Sequence, residues 1–110
     1  MKIVRFVVKE FITDKQHNPF REWLESLAIP IKAKVQARIF RFENGNLGDV
    51  KNVGSGVWEA RFNTGPGYRV YFGINEQTII ILLGGGDKKT QKKDISSAKE
   101  YWREYKESTI

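Results

Sequence analysis

Three strand-like runs follow one another almost without interruption: "VWEARFNT" (57–64), "GYRVYFGI" (67–74) and "TIIILLGG" (78–85). Only Gly65-Pro66-Gly67 and Asn75-Glu76-Gln77 separate them. Connections this short join antiparallel neighbours, because a parallel pair needs a crossover of a dozen residues or more. The runs therefore predict a three-stranded antiparallel meander. Its third member is apolar from Ile79 to Leu83, as a strand buried on both faces would be. In the first two, Trp58, Ala60 and Phe62 alternate against Tyr68, Val70, Phe72 and Ile74. For those sets to share one side, paired residue numbers must sum to an even number, which sends Arg61, Arg69, Glu59 and Tyr71 to the other side. The tightest such register sets Arg61 directly across from Arg69, a like-charge pairing that costs some tenths to about 1 kcal/mol.

The rest of the chain reads as a frame for this meander. "KIVRFVVKEF" (2–11), with Ile3, Val4, Phe6, Val7 and Val8, predicts an N-terminal strand. Asn18-Pro19 then supplies an N-cap and a first helical residue, and Phe20, Trp23, Leu24 and Leu27 recur at helical spacing. Pro30 ends that helix and opens a second, in which Ile31, Val35, Ile39 and Phe42 form the apolar stripe and Gly45 the stop. Its other face carries Lys32, Lys34, Arg38 and Arg41, which is either solvated or placed to track a phosphate backbone or an acidic partner. "NLGDVKNVGSG" (46–56) reads as a loop. "DISSAKEYWREYKES" (94–108) reads as a closing helix with Ile95, Ala98, Trp102 and Tyr105 on one face. The order β, α, α, β, β, β, α makes a single α+β domain over residues 1–110, helices on a mostly antiparallel sheet.

Composition narrows the chemistry. Nineteen Lys and Arg against thirteen Asp and Glu give a net charge of +6, which favours polyanionic partners, nucleic acid first among them. No cysteine is present and His17 is the single histidine, so neither a disulfide scaffold nor a protein-only metal site is expected. The N-terminus shows no cleavable leader and no run long enough to span a bilayer, so a cytoplasmic protein without a membrane partner is expected. A P-loop spacing is missing, and His17, beside a helix cap, reads as a surface or capping histidine.

Two readings of the arginine pair stand side by side. In one, Glu59 and Glu76 neutralise the arginines and nothing else binds. In the other, Arg61 and Arg69 form a fork for phosphate, which guanidinium geometry suits. "LLGGGDKKTQKKD" (82–94) favours the second reading. Gly84, Gly85 and Gly86 would let backbone approach a ligand, and Lys88, Lys89, Lys92 and Lys93 would concentrate positive potential before the last helix.

"PFREWLESL" (19–27), "ARIFRFENGNLGDVKNVGSGVWEARFNTGPGYRVYF" (37–72) and "LLGGGDKKTQKKDISSAKEYW" (82–102) together resemble the RelE/ParE toxin superfamily. The match is to its HigB-like addiction module killer protein branch, related to phage Gp49-like proteins, and the likeness covers nearly the whole chain. It implies the RelE/ParE-like fold and the toxin of a type II toxin–antitoxin pair, held in an oligomer by a HigA-like helix-turn-helix antitoxin. It also implies cofactor-free, metal-independent cleavage of mRNA on the ribosome, by attack of a ribose 2′-hydroxyl on the neighbouring phosphate. Carried over by position, Arg69 matches the arginine at the scissile phosphate, Arg61 a basic position in the preceding strand, and Lys89, with Lys88 beside it, a second basic residue after the last strand. Val57 and Glu59 stand where RelE-type toxins carry lysines, and Ile95 where they carry a catalytic tyrosine. Lys92, Lys93, Lys34 and Arg38 would contact RNA, and Tyr71 and Tyr101 would stack a base or relay a proton, ordinary packing being the alternative for Tyr101. The rival readings are a ParE-like inhibitor of DNA gyrase and a non-catalytic module that binds RNA or antitoxin.

Overall fold

The computed structural model describes residues 5–108. Along the chain run β1 (Val7–Glu10), α1 (Pro19–Glu25), α2 (Ile29–Glu43), β2 (Val50–Gly54), β3 (Val57–Arg61), β4 (Arg69–Asn75), β5 (Ile79–Gly86) and α3 (Gln91–Ser108). The strands form one sheet in the order β1-β5-β4-β3-β2. The expected meander is its centre, with β3, β4 and β5 antiparallel in sequence. Arg61 pairs with Arg69, Ala60 with Val70 and Trp58 with Phe72, the register that the alternation of apolar residues demands.

The sheet is wider than the sequence suggested. Val50–Gly54, read above as loop, is an edge strand antiparallel to β3. Its Asn and Gly content hides it, yet Ser55 and Gly56, with φ of 56° and 81°, make a two-residue hairpin turn whose twist matches the strands it joins. At the other edge β1 pairs in parallel with β5, so the sheet is mixed. Only Val7–Glu10 of the expected first strand is strand, and Ile3 and Val4 lie outside the described residues.

Helix ends follow local chemistry. Asn18 Oδ1 accepts from the Arg21 amide at 2.9 Å, capping α1 with Pro19 in its first turn. That helix stops at Glu25, short of Pro30, which sits instead in the first turn of α2. At the far end of α2, the amides of Gly45 and Asn46 return to the carbonyls of Phe42 and Arg41, and Gly45 takes φ 87°.

Both faces of the sheet are covered, so the side that carries Glu59 and Tyr71 is buried as well. On one side Phe20 and Leu24 of α1 and Val35 and Phe42 of α2 pack on Ala60, Val70, Phe72, Ile80 and Leu82. On the other, Ala98 and Trp102 of α3 pack with Phe11 on Val57, Tyr71, Ile81 and Leu83. Gly73 makes the second layer possible, because a Cβ there would lie 2.5 Å from the Trp102 ring. The all-apolar run of β5 is thus explained, with Ile80 and Leu82 facing one layer and Ile81 and Leu83 the other.

Candidate functional site

Arg69 opens β4 with Arg61 opposite it on β3 and Gly86 opposite it on β5. Its side chain is 13% exposed and its inner edge is engaged. Nη1 donates to the carbonyl of Gly67 at 2.8 Å, and Nε lies 3.4 Å from Glu59 Oε2. Glu59 is 1% exposed, and the same Oε2 accepts from the Tyr71 hydroxyl at 3.0 Å and from Gln91 Nε2 at 2.9 Å. Glu59 thus serves Arg69 as a buried counterion, while the buried Arg69 Nε donates no hydrogen bond among the described residues. Among the described residues Arg69 Nη2 donates no hydrogen bond.

Arg61 takes a different counterion. Its half-exposed guanidinium bonds Asp49 Oδ1 at 3.0 Å, and that bond raises its pKa above the usual arginine value. The like charges of the Arg61–Arg69 pair are therefore offset by Asp49 and Glu59, not by the expected Glu59 and Glu76. Glu76 lies in the turn beyond the far end of β4, roughly 20 Å from Arg69 at about 3.3 Å per residue.

The structure brings Lys88 to Arg69. The Lys88 amide donates to the Pro66 carbonyl at 3.3 Å, and a Cβ added at Gly67 would stand 3.2 Å from Arg69 Nη1 and 3.5 Å from Lys88 Cβ. Lys89 is exposed beside it, its amide held by Asp87 Oδ1 at 2.9 Å. Because α3 begins at Gln91, Lys92 and Lys93 belong to its first turn and do not precede it. Cations at a helix N-terminus oppose the macrodipole, typically by 0.3–1 kcal/mol each at about surface exposure, which Asp94 in the same turn partly offsets. This end of the molecule concentrates positive potential at some cost in helix stability.

Several expected site residues lie elsewhere. Tyr71 is fully buried beneath α3 and bonded to Glu59, so it stacks no base. Arg38, expected on the open face of α2, is 6% exposed; its guanidinium donates to the carbonyls of Leu47, Asp49 and Arg61 at 3.0, 2.8 and 2.8 Å and lies 4.9 Å from the Phe62 ring centroid. Burial lowers its pKa, and its work is to fasten the 46–49 loop to β3. Lys34 remains exposed and shares a concavity of about 360 Å³ with Arg41, Asp49, Arg61 and Thr64, for which Arg38 is the floor. Tyr101 packs on Phe11, ring centroids 5.5 Å apart, about 12 Å along α3 from Lys93 at 1.5 Å per residue. It lines a separate cleft with His17, Glu22 and Glu104. Ile95, in the tyrosine's place, packs against the α3-side core.

The glycine run also works differently from the expectation. A Cβ on Gly85 would meet the Trp23 ring at 2.2 Å, and one on Gly86 would meet Asp94 Oδ2 at 1.9 Å. These two glycines admit protein side chains rather than a ligand; only Gly84 has nothing within 4 Å. Gln91 and Asp49, which hold the two arginine environments together, escaped sequence reasoning. Gln91 carries no signal until the start of α3 is known, and Asp49 none until β2 is recognised as a strand.

Comparison with known proteins agrees in part with the resemblance drawn from the motifs. Residues 22–103 match the phage-derived Gp49-like protein family. An uncharacterized protein of Haemophilus influenzae is 49% identical over 81 residues, covering 73% of this chain and 82% of the relative. No solved structure matches.

Proposed function

Because the chain belongs to the Gp49-like family, which is associated with toxin–antitoxin modules, we propose that it is the toxin of such a pair and cleaves mRNA during translation. One observation carries this reading. Arg69 is held along its inner edge by Glu59 and Gly67, leaving Nη2 available, while Lys88, Lys89, Lys92 and Lys93 crowd the adjoining end of α3. An anchored guanidinium within a cationic rim suits a phosphate that gains charge during reaction.

In that chemistry a ribose 2′-oxygen attacks the adjacent phosphorus, and the bond to the 5′-oxygen of the next nucleotide breaks. The products are a 2′,3′-cyclic phosphate and a 5′-hydroxyl. Arg69 stabilises the charge on the phosphorane, and Arg61 and Lys34 hold the strand on the far side of the 62–68 loop. The lysines beside Arg69 are the groups for proton transfer, one accepting the 2′-hydroxyl proton in its neutral form and another protonating the departing oxygen. A helix-turn-helix antitoxin and the ribosome are the partners this reading entails.

Arg69→Ala tests it. The variant is expected to abolish growth inhibition while keeping the wild-type circular dichroism spectrum, and wild-type induction is expected to produce mRNA with new 5′ ends inside coding regions. Intact transcripts accompanied by an SOS response would assign the toxin to DNA gyrase instead.

A further inference from the structure

Charge divides α3 lengthwise. At about 100° per residue, Lys92, Lys99, Arg103 and Lys106 fall within an arc of about 60°, with Ser96 just beyond it. Asp94, Glu100, Glu104 and Glu107 all fall outside that arc. The cationic flank lies against the β2–β3 hairpin, since a Cβ added at Gly54 would stand 3.2 Å from Lys99 Nζ. It begins at the candidate site, because Gln91 in the first turn of α3 bonds Glu59, the counterion of Arg69. Lys51 of β2, the cross-strand partner of Glu59, adds an exposed cation on the same face of the sheet.

Between the hairpin turn and this flank lies a cleft of about 410 Å³, lined by Ser55, Ser96, Lys99, Trp102 and Arg103, with Glu100 at its rim. Trp102 is only 5% exposed, and the ring edge that carries Nε1 meets the turn: a Cβ on Gly56 would lie 2.7 Å from that nitrogen. Among the described residues the indole N–H donates no hydrogen bond, although a buried tryptophan usually finds a partner for it. Lys99 makes no ion pair among the described residues. Arg103 meets only Glu100, at 3.5 Å with both side chains 69% exposed, a surface pair worth little. An ammonium, a guanidinium, an indole N–H and two hydroxyls make a donor set suited to phosphate oxygens. From Lys92 to Lys106 the cations extend about 21 Å at 1.5 Å per residue, too far for one phosphate and suited to several in succession.

We propose that this flank of α3, with the cleft over Trp102, is a second phosphate-binding surface that carries a single RNA strand outward from the Arg69 end. The direction of the strand rests on the cleavage reading, whereas the binding itself requires no cleavage. Continuity with Arg69 favours RNA over an acidic peptide. A strand held at Arg69 must leave across some surface, and the opposite flank of α3 presents Asp94 and Glu104, the latter in the cleft it shares with Asp14 and Glu22.

Fluorescence anisotropy with the full chain and labelled 2′-O-methyl RNA tests it, because that strand lacks the attacking hydroxyl and reports binding alone. A strand of about twelve nucleotides is expected to bind in a salt-sensitive manner, and one of about three far more weakly. Lys99→Glu with Arg103→Glu is expected to weaken binding of the long strand about tenfold or more and to lower the slope of log affinity against log salt by about 1.4. Lys9→Glu with Lys15→Glu changes net charge equally on the β1 side and is expected to cost less than about threefold. Trp102→Phe keeps the ring, removes the N–H and is expected to cost about fivefold; the Lys99 and Arg103 variant decides the question if it does not fold. Failure of the wild type to bind the long strand, or equal losses in the two charge-reversed proteins, overturns the proposal. So does a glutamate homopeptide that binds as tightly as the RNA and is lost in the same variant, which would make an acidic protein the occupant. The two readings separate cleanly. Loss of cleavage in Arg69→Ala together with normal binding by the Lys99 and Arg103 variant keeps the nuclease and removes this surface, whereas intact transcripts together with lost binding in that variant keep the surface and remove the nuclease.

Discussion

Tyr71 and Glu59 are direct cross-strand partners on β4 and β3, and the tyrosine hydroxyl donates to the carboxylate at 3.0 Å with both side chains buried. Burial first, and the neighbouring Glu59 charge second, raise the Tyr71 pKa well above 10. A raised folded value means that the unfolded chain loses this proton first as pH climbs. Stability is therefore complete below pH ~10 and falls by about 1.4 kcal/mol per pH unit above it. Tyr71→Phe is expected to flatten that alkaline slope, while costing about 1–3 kcal/mol at neutral pH because a buried acceptor loses a donor. Urea unfolding of both proteins between pH ~8 and ~11 measures the difference, and equal slopes would place the alkaline transition elsewhere.

Arg38 and Lys34 are expected to separate into structural and binding roles. Arg38→Met keeps the aliphatic stem but strands three carbonyls, for a loss of about 3 kcal/mol, and Arg38→Lys restores little because one ammonium does not span them. Lys34→Ala should leave the melting temperature within error and reduce RNA affinity and its salt dependence. Thermal melts and filter binding on the same preparations make the comparison; a normal melt for Arg38→Met would contradict the assignment.

Gly85 and Trp23 are expected to be strongly coupled. Gly85→Ala sets a methyl 2.2 Å from the Trp23 ring, and overpacking of this kind costs about 1–3 kcal/mol. Trp23→Leu should relieve it, so that Gly85→Ala is much milder in that background. A double-mutant cycle in denaturant reads the coupling directly, and additive effects would mean the glycine is not there for the tryptophan.

The β4–β5 turn offers a gain. Glu76 and Gln77 both take positive φ, 54° and 66°, a conformation that costs residues with a Cβ roughly 1–2 kcal/mol each. Gln77→Gly removes that strain and returns part of it as unfolded-chain entropy, for a net stabilisation of about 0.5–1 kcal/mol. A lower urea midpoint for the variant would contradict this account.

Alternation and turn chemistry determined the centre of this protein. The meander, its register with Arg61 opposite Arg69, the Asn18 cap and the Gly45 stop follow from period, side-chain volume and backbone freedom, all of which are local. Tertiary structure decided what each charge does. Arg38 and Lys34 share a helix and a charge, yet one holds three carbonyls and the other meets solvent, because only the folded 46–49 loop brings those carbonyls to α2. Arg69 is anchored through Glu59 by a glutamine 32 residues further along the chain than that carboxylate, and Tyr71 is removed from the surface by a helix lying on Gly73. Contacts between distant segments have no period, and the pairing of a charge depends on them.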